Sequence, residues 1–116
     1  MKTILVVDDE RDLLTAVSGV LEDEGYEVIE CSDGREALER LATKKPDAAL
    51  IDVMMPVMSG PELVEILRRD PRFKGLPIVI MSAVENTEID KDNYAGFLKT
   101  PFKLKRLLQV IEQIAA

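Results

Sequence analysis

The strongest constraint on this chain is a repeated alternation. A short run of apolar, β-branched-rich residues is followed by a longer stretch whose apolar residues recur at helical spacing. Ile4-Leu5-Val6-Val7 is continuously apolar, as expected of a strand buried on both faces. Asp47-Ala48-Ala49-Leu50-Ile51 and Ile78-Val79-Ile80-Met81 repeat the pattern. Tyr26-Glu27-Val28-Ile29-Glu30-Cys31 alternates in part, which suits a sheet edge, and Gly96-Phe97-Leu98 is the last and weakest strand candidate. Between these runs, Leu13, Leu14, Val17, Val20 and Leu21 share one helical face, closed by Gly25 as a left-handed cap. Ala37, Leu38 and Leu41 form a second stripe after the turn Ser32-Asp33-Gly34. Ser59-Gly60-Pro61-Glu62 reads as a helix start with a capping box, and Leu63, Ile66 and Leu67 follow on its buried side. Leu104, Leu107, Leu108, Ile111 and Ile114 define a closing helix.

A βα unit repeated in this way implies right-handed crossovers and a parallel sheet with helices on both faces. The stretch between Met81 and Phe97 departs from the pattern. Residues Val84 to Tyr94 are too polar for a good stripe, so one short helix or an irregular loop is expected there. No linker, repeat or low-complexity segment interrupts the chain, and residues 1–116 are read as a single domain of common size.

Composition narrows the chemistry. Asp and Glu number 22 against 15 Lys and Arg, a formal net charge of −7. Phosphate contacts need clustered Lys and Arg, so direct binding of nucleic acid or anionic membrane is not expected. Cys31 is the only cysteine, which excludes an internal disulfide and any C-x-x-C motif. The absence of His removes Ser-His and Cys-His catalysis. No apolar run approaches the roughly 20 residues of a membrane span. Met1-Lys2-Thr3 leads directly into a strand without a cleavage signal, so a cytoplasmic location is expected.

In open α/β sheets, ligands bind outside the carboxyl ends of the strands, where strand order reverses. The residues at those ends are Asp8, Asp9 and Glu10 after the first strand and Asp52 after the third. Ser82-Ala83 follow the fourth, and Lys99-Thr100-Pro101 the fifth. Carboxylates crowded together raise one another's pKa, and a hard divalent cation is the natural remedy. Mg²⁺ suits a few carboxylates completed by waters and a phosphate oxygen. With the ion bound, Asp52 can act as a nucleophile toward phosphorus. The charge developing on the transferred group then calls for the metal, a hydroxyl and a cation.

Val6-Val7-Asp8-Asp9-Glu10, Ile51-Asp52-Val53-Met54-Met55-Pro56-Val57-Met58-Ser59-Gly60 and Met81-Ser82-Ala83 resemble the CheY-like receiver domain of two-component response regulators, over essentially the whole chain. The resemblance implies a flavodoxin-like, doubly wound, five-stranded parallel sheet in the order 2-1-3-4-5. It also implies a signalling switch phosphorylated by a histidine kinase or phosphotransfer protein, a regulator rather than an enzyme proper. Asp52 then resembles the phosphoacceptor, Asp9 the direct Mg²⁺ ligand and Asp8 the acid that holds the ion through water. Met54 resembles the residue lending its backbone carbonyl to the metal. Ser82 resembles the hydroxyl that meets the phosphoryl group, and Phe97 the aromatic switch that follows it. Pro56 and Gly60 resemble the residues shaping the loop below the acceptor.

Two departures stand out. The family's last strand ends in aromatic-x-x-Lys-Pro, whereas this chain reads Phe97-Leu98-Lys99-Thr100-Pro101, with Thr100 at the lysine position and Lys99 one residue early. A one-residue slip turns a strand side chain to the opposite face, so regular pairing sends Lys99 away from the site, while a bulge, or a long lysine stem curling round the strand end, could still deliver it. The polar segment after Ala83 is the second departure. Together they motivate an alternative, a pseudo-receiver that binds partners independently of phosphorylation. Plainer readings stand beside the sharper ones. Asp9 or Glu10 could simply cap a helix, Met54, Met55 and Met58 could be packing, and Phe97 could be a core aromatic. Lys103, Lys105 and Arg106 could be a solvated face or a docking patch for an acidic partner.

Overall fold

The computed structural model describes residues 1–85 and 89–115. Five strands, β1 (Thr3–Val7), β2 (Glu27–Cys31), β3 (Ala48–Asp52), β4 (Ile78–Ser82) and β5 (Gly96–Lys99), alternate with helices α1 (Arg11–Asp23), α2 (Gly34–Leu41), α3 (Gly60–Arg69) and α4 (Leu104–Ile114). All strand pairs are parallel, and the order across the sheet is β2-β1-β3-β4-β5. Order reverses between β1 and β3, which places the binding crevice at their carboxyl ends.

The continuous apolar runs fill both faces of the sheet, because side chains alternate sides along a strand. Leu5, Val7, Ala49, Ile51, Ile78 and Ile80 point into one buried cluster, together with Ala37, Leu41, Leu63 and Leu67 of α2 and α3. Ile4, Val6, Ala48, Leu50, Val79, Met81 and Leu98 point into the other, against Leu14, Val17 and Leu21 of α1 and Leu107, Val110 and Ile111 of α4. Each fully buried aliphatic side chain contributes about 1.5–3 kcal/mol relative to exposure. These two layers support the strands from both faces of the sheet.

The helix boundaries follow the local chemistry. Gly25 has φ +91° after α1, a conformation glycine adopts without steric cost. Asp33 caps α2 by accepting the Glu36 N–H at 2.8 Å. At α3 the capping box is complete: Ser59 Oγ accepts the Glu62 N–H, and Glu62 Oε1 accepts the Ser59 N–H, both at 3.3 Å.

Between β4 and β5 the fourth crossover contains one 3₁₀ turn, Lys91–Asn93, with Asp90 accepting the Asp92 N–H at 3.0 Å. The expectation of a short helix or loop across Val84 to Tyr94 holds for its described part, and residues 86–88 lie outside the described residues. Arg68, near the end of α3, anchors this segment. Its guanidinium donates to the carbonyls of Asn93 (2.9 Å), Phe73 (3.0 Å), Lys74 (3.0 Å) and Leu76 (2.8 Å). A planar fork with five N–H donors can serve several diverging carbonyls at once. The sequence alone does not single out Arg68, since its partners are backbone atoms that carry no residue signature.

Among the described residues no helix is long and apolar enough to cross a membrane.

Candidate functional site

Val7 on β1 pairs with Ile51 on β3, so the next residues, Asp8 and Asp52, emerge side by side from the sheet. One carboxylate oxygen from each of Asp8, Asp9 and Asp52 lies within 4.8 Å of the others. The three differ in environment. Asp8 is buried, with 2 % of its surface exposed, Asp52 is half-buried and Asp9 is exposed. Asp8 Oδ1 accepts the Glu10 N–H at 2.8 Å. Glu10 is the N-cap of α1 and its side chain makes no capping hydrogen bond. The cap reading of Glu10 therefore finds no contact to support it.

The electrostatics follow from burial and like charge. Desolvation, then the charges of Asp8 and Asp9, push the Asp52 carboxyl up to about 7, against the milder pull of the Met54 and Val53 N–H groups. Asp8 is also raised, first by burial and further by Asp9 and Glu10, with the Glu10 N–H opposing. The charges acting on Asp52 are thus negative, and such a cluster repels itself unless a cation joins it.

The loop that follows Asp52 is built around close backbone approach. Gly60 N–H donates to the Val53 carbonyl at 2.9 Å. A Cβ at Gly60 would stand 2.3 Å from the Asp52 carbonyl oxygen and 2.7 Å from Val53 Cα, so only glycine fits. Val57 holds φ +68° with its side chain exposed, a conformation costly for a β-branched residue. Met54, two residues past Asp52, leaves 75 % of its surface in solvent, while Met55 and Met58 pack partly against the core.

Ser82 closes β4, is buried, and accepts the Val84 N–H on Oγ at 3.0 Å. Across the last pair of strands the register is regular, running one to one from Val79–Gly96 to Ser82–Lys99. Regular pairing places Lys99 on the opposite strand face from Leu98, and its ammonium is not among the charges acting on Asp52. The ammonium lies 3.4 Å from Glu85 Oε1 and the side chain is 60 % exposed. Thr100 is half-buried and its N–H donates to the Ser82 carbonyl at 2.9 Å. Phe97 is half-buried against the cluster beneath α2 and α3, with Tyr94.

Asp8, Asp9 and Asp52 are therefore brought together, with Met54 next to them in the chain and Ser82 at the neighbouring strand end. Lys99 is not brought to the carboxylates. Glu85, which holds Lys99 elsewhere, carried no sequence signal. Cys31 is fully buried and burial pushes its thiol up to about 12, consistent with an inert structural role.

The comparisons with known proteins agree with this fold. The pattern of the family described as "Response regulator receiver domain" matches residues 4–112. The alkaline phosphatase synthesis transcriptional regulatory protein PhoP of Bacillus subtilis is 43 % identical over 90 residues, 78 % of this chain and 36 % of PhoP. The phosphate regulon transcriptional regulatory protein PhoB of Pseudomonas aeruginosa is 32 % identical, over 97 % of this chain and 51 % of PhoB. The chain thus spans between about a third and a half of the length of these curated relatives. Among solved structures, chemotaxis response regulator CheY4 of Vibrio cholerae superimposes with a TM-score of 0.89 at 34 % identity, covering 98 % of each chain. Response regulator TrrA of Thermotoga maritima, solved in complex with Mg(2+)-BeF, gives 0.88 at 27 % identity, over 98 % of this chain and 99 % of TrrA.

Proposed function

This chain belongs to the family of response-regulator receiver domains, the phosphorylation-dependent signalling switches of two-component systems, and we propose that its phosphoacceptor is Asp52. The observation that carries the reading is the meeting of Asp8, Asp9 and Asp52 at the point where strand order reverses.

The donor set fits Mg²⁺. It is all oxygen, it carries excess negative charge, and two of its members keep contact with solvent, as a hard cation that retains waters requires. Asp9 and Asp52 are proposed as direct ligands, Asp8 as a ligand through water, and the Met54 carbonyl as a further donor. Bound there, the ion would neutralise the carboxylates and the oxygens of an incoming phosphoryl group. The Mg(2+)-BeF complex of TrrA supports this assignment by analogy.

The residues of the chain divide the remaining work. Asp52, ionised, offers a carboxylate oxygen to phosphorus. With a phosphohistidine donor the N–P bond breaks as the Asp52 O–P bond forms, and the histidine of the kinase or phosphotransfer partner leaves as imidazole. Ser82 Oγ, which here accepts from Val84, can turn to donate to a phosphoryl oxygen. That turn would release the Val84 N–H and draw the loop after β4 inward. Phosphorylation adds about −1.5 to −2 charge, enough to bias such a two-state loop. Phe97 would report the movement to the outer surface. In this reading the domain promotes its own phosphorylation and dephosphorylation, residues 1–116 act as one domain, and the setting is cytoplasmic. The intact group of three carboxylates supports a switch over a phosphorylation-independent interaction module.

Incubation with acetyl phosphate and Mg²⁺, read by intact-protein mass spectrometry, tests the assignment. One phosphoryl mass is expected on the wild-type chain and none on Asp52→Asn. An equal gain by both would refute it.

A further inference from the structure

We propose that Thr100 leaves the acceptor site, among the described residues, without a side-chain cation, making the divalent ion its main counter-charge, and that the site therefore holds Mg²⁺ more tightly than a lysine at position 100 would allow. The inference rests on the reading of Asp8, Asp9 and Asp52 as the metal site.

Strand parity carries the argument. Val6, Leu50, Met81 and Leu98 all point into the cluster beneath α1 and α4. Side chains repeat a face every two residues, so Asp8, Asp52 and Thr100 continue that same face at the top of β1, β3 and β5. Lys99 continues the opposite face, set by Phe97. Pairing leaves no freedom to exchange these roles. Ser82 is opposite Lys99 without a bulge, and the Thr100 N–H is fixed to the Ser82 carbonyl at 2.9 Å. By this parity the residue that shares the carboxylates' face, one position past the end of β5, is a short, neutral side chain two strands away from Asp52. The chain's nearby ammonium is directed to Glu85 on the loop after β4. That exposed ion pair is weak in itself. The strand face, and not the pair, fixes where Lys99 points.

The consequence is electrostatic. A lysine at position 100 would lean toward the carboxylates from the same face and compete with the metal for them. A positive charge within about 6 Å of a divalent ion in a half-buried site lowers its affinity by at least about tenfold. With threonine there, that competition is absent.

Isothermal titration of the metal-free chain with Mg²⁺ at low ionic strength tests the proposal. Thr100→Lys is expected to bind Mg²⁺ at least about tenfold more weakly than wild type, and its metal-free melting temperature is expected to rise, since the added cation relieves the carboxylates. Thr100→Met supplies similar bulk without charge and is expected to lose far less affinity. Lys99→Met is expected to titrate like wild type. Wild-type affinity in Thr100→Lys, an equal loss in Thr100→Met, a lowered metal-free melting temperature in Thr100→Lys, or tighter binding in Lys99→Met would each overturn the inference while leaving the metal site standing. No uptake of Mg²⁺ by the wild-type chain would overturn the metal reading itself.

Discussion

Asp52 sits in an unfavourable electrostatic environment, and the sign of its effect on stability is definite. Its carboxyl is raised to about 7 in the fold, from an ordinary value of 3.8. A raised acid binds its proton more tightly folded than unfolded, so stability is greatest below the unfolded pKa. It is lost as pH rises through the window between about 4 and 7. Asp8 contributes with the same sign. The melting temperature of the metal-free chain should therefore fall between pH 5 and pH 8, and Asp52→Asn should reduce the slope. Differential scanning calorimetry across that range checks it, and a flat wild-type profile would contradict it. At Gly60 the constraint is steric. An added methyl meets the Asp52 carbonyl at 2.3 Å, so Gly60→Ala should cost about 1–3 kcal/mol in urea unfolding. The special status of Gly60 was legible only through the family resemblance. The backbone contact that enforces it joins residues eight apart through a loop whose path no periodicity describes.

The elements were read closely because their signals are local. Every strand lies within one residue of its apolar run, and the α3 capping box falls on the residues that spelled it. The fourth crossover was legible only as a lack of pattern. What holds its described part is Arg68, whose guanidinium ties the end of the 3₁₀ turn to the loop before β4. Lysine cannot replace it, because one ammonium cannot span carbonyls that diverge from residues 73, 74, 76 and 93. Hydrogen bonds to a charged group are worth about 1.5–3 kcal/mol each, and part of that is recovered by water on a half-exposed side chain. Arg68→Lys should therefore cost about 2–4 kcal/mol in chemical denaturation, with faster amide hydrogen exchange around Tyr94 and Ala95. Exchange rates there matching wild type would contradict the anchoring role. The direction of Lys99 was likewise open in sequence. It turned on whether β5 carries a bulge, which the pairing with β4 excludes, or whether the long stem curls round the strand end, where the ammonium instead meets Glu85.

At the scale of the whole molecule, the fold class followed from the βα alternation, but the strand order did not. Three buried strands with nearly identical apolar runs can be permuted without changing either burial or handedness, and the order 2-1-3-4-5 came from the resemblance. If the chain is one cooperative unit, far-ultraviolet dichroism and tyrosine fluorescence should trace a single coincident unfolding transition. Tyr26 packs near the β2 side and Tyr94 beside β5, so the two tyrosines report on opposite ends of the sheet. Non-coincident curves would divide the unit. The strand order also determines which backbones are left without a neighbour. β2 and β5 form the open rims, one five and one four residues long, with Glu27 and Glu30 on the first and Lys99 on the second. Short rims studded with charge are poor templates for a visiting strand, so this sheet ends where it does and resists growing into a fibre.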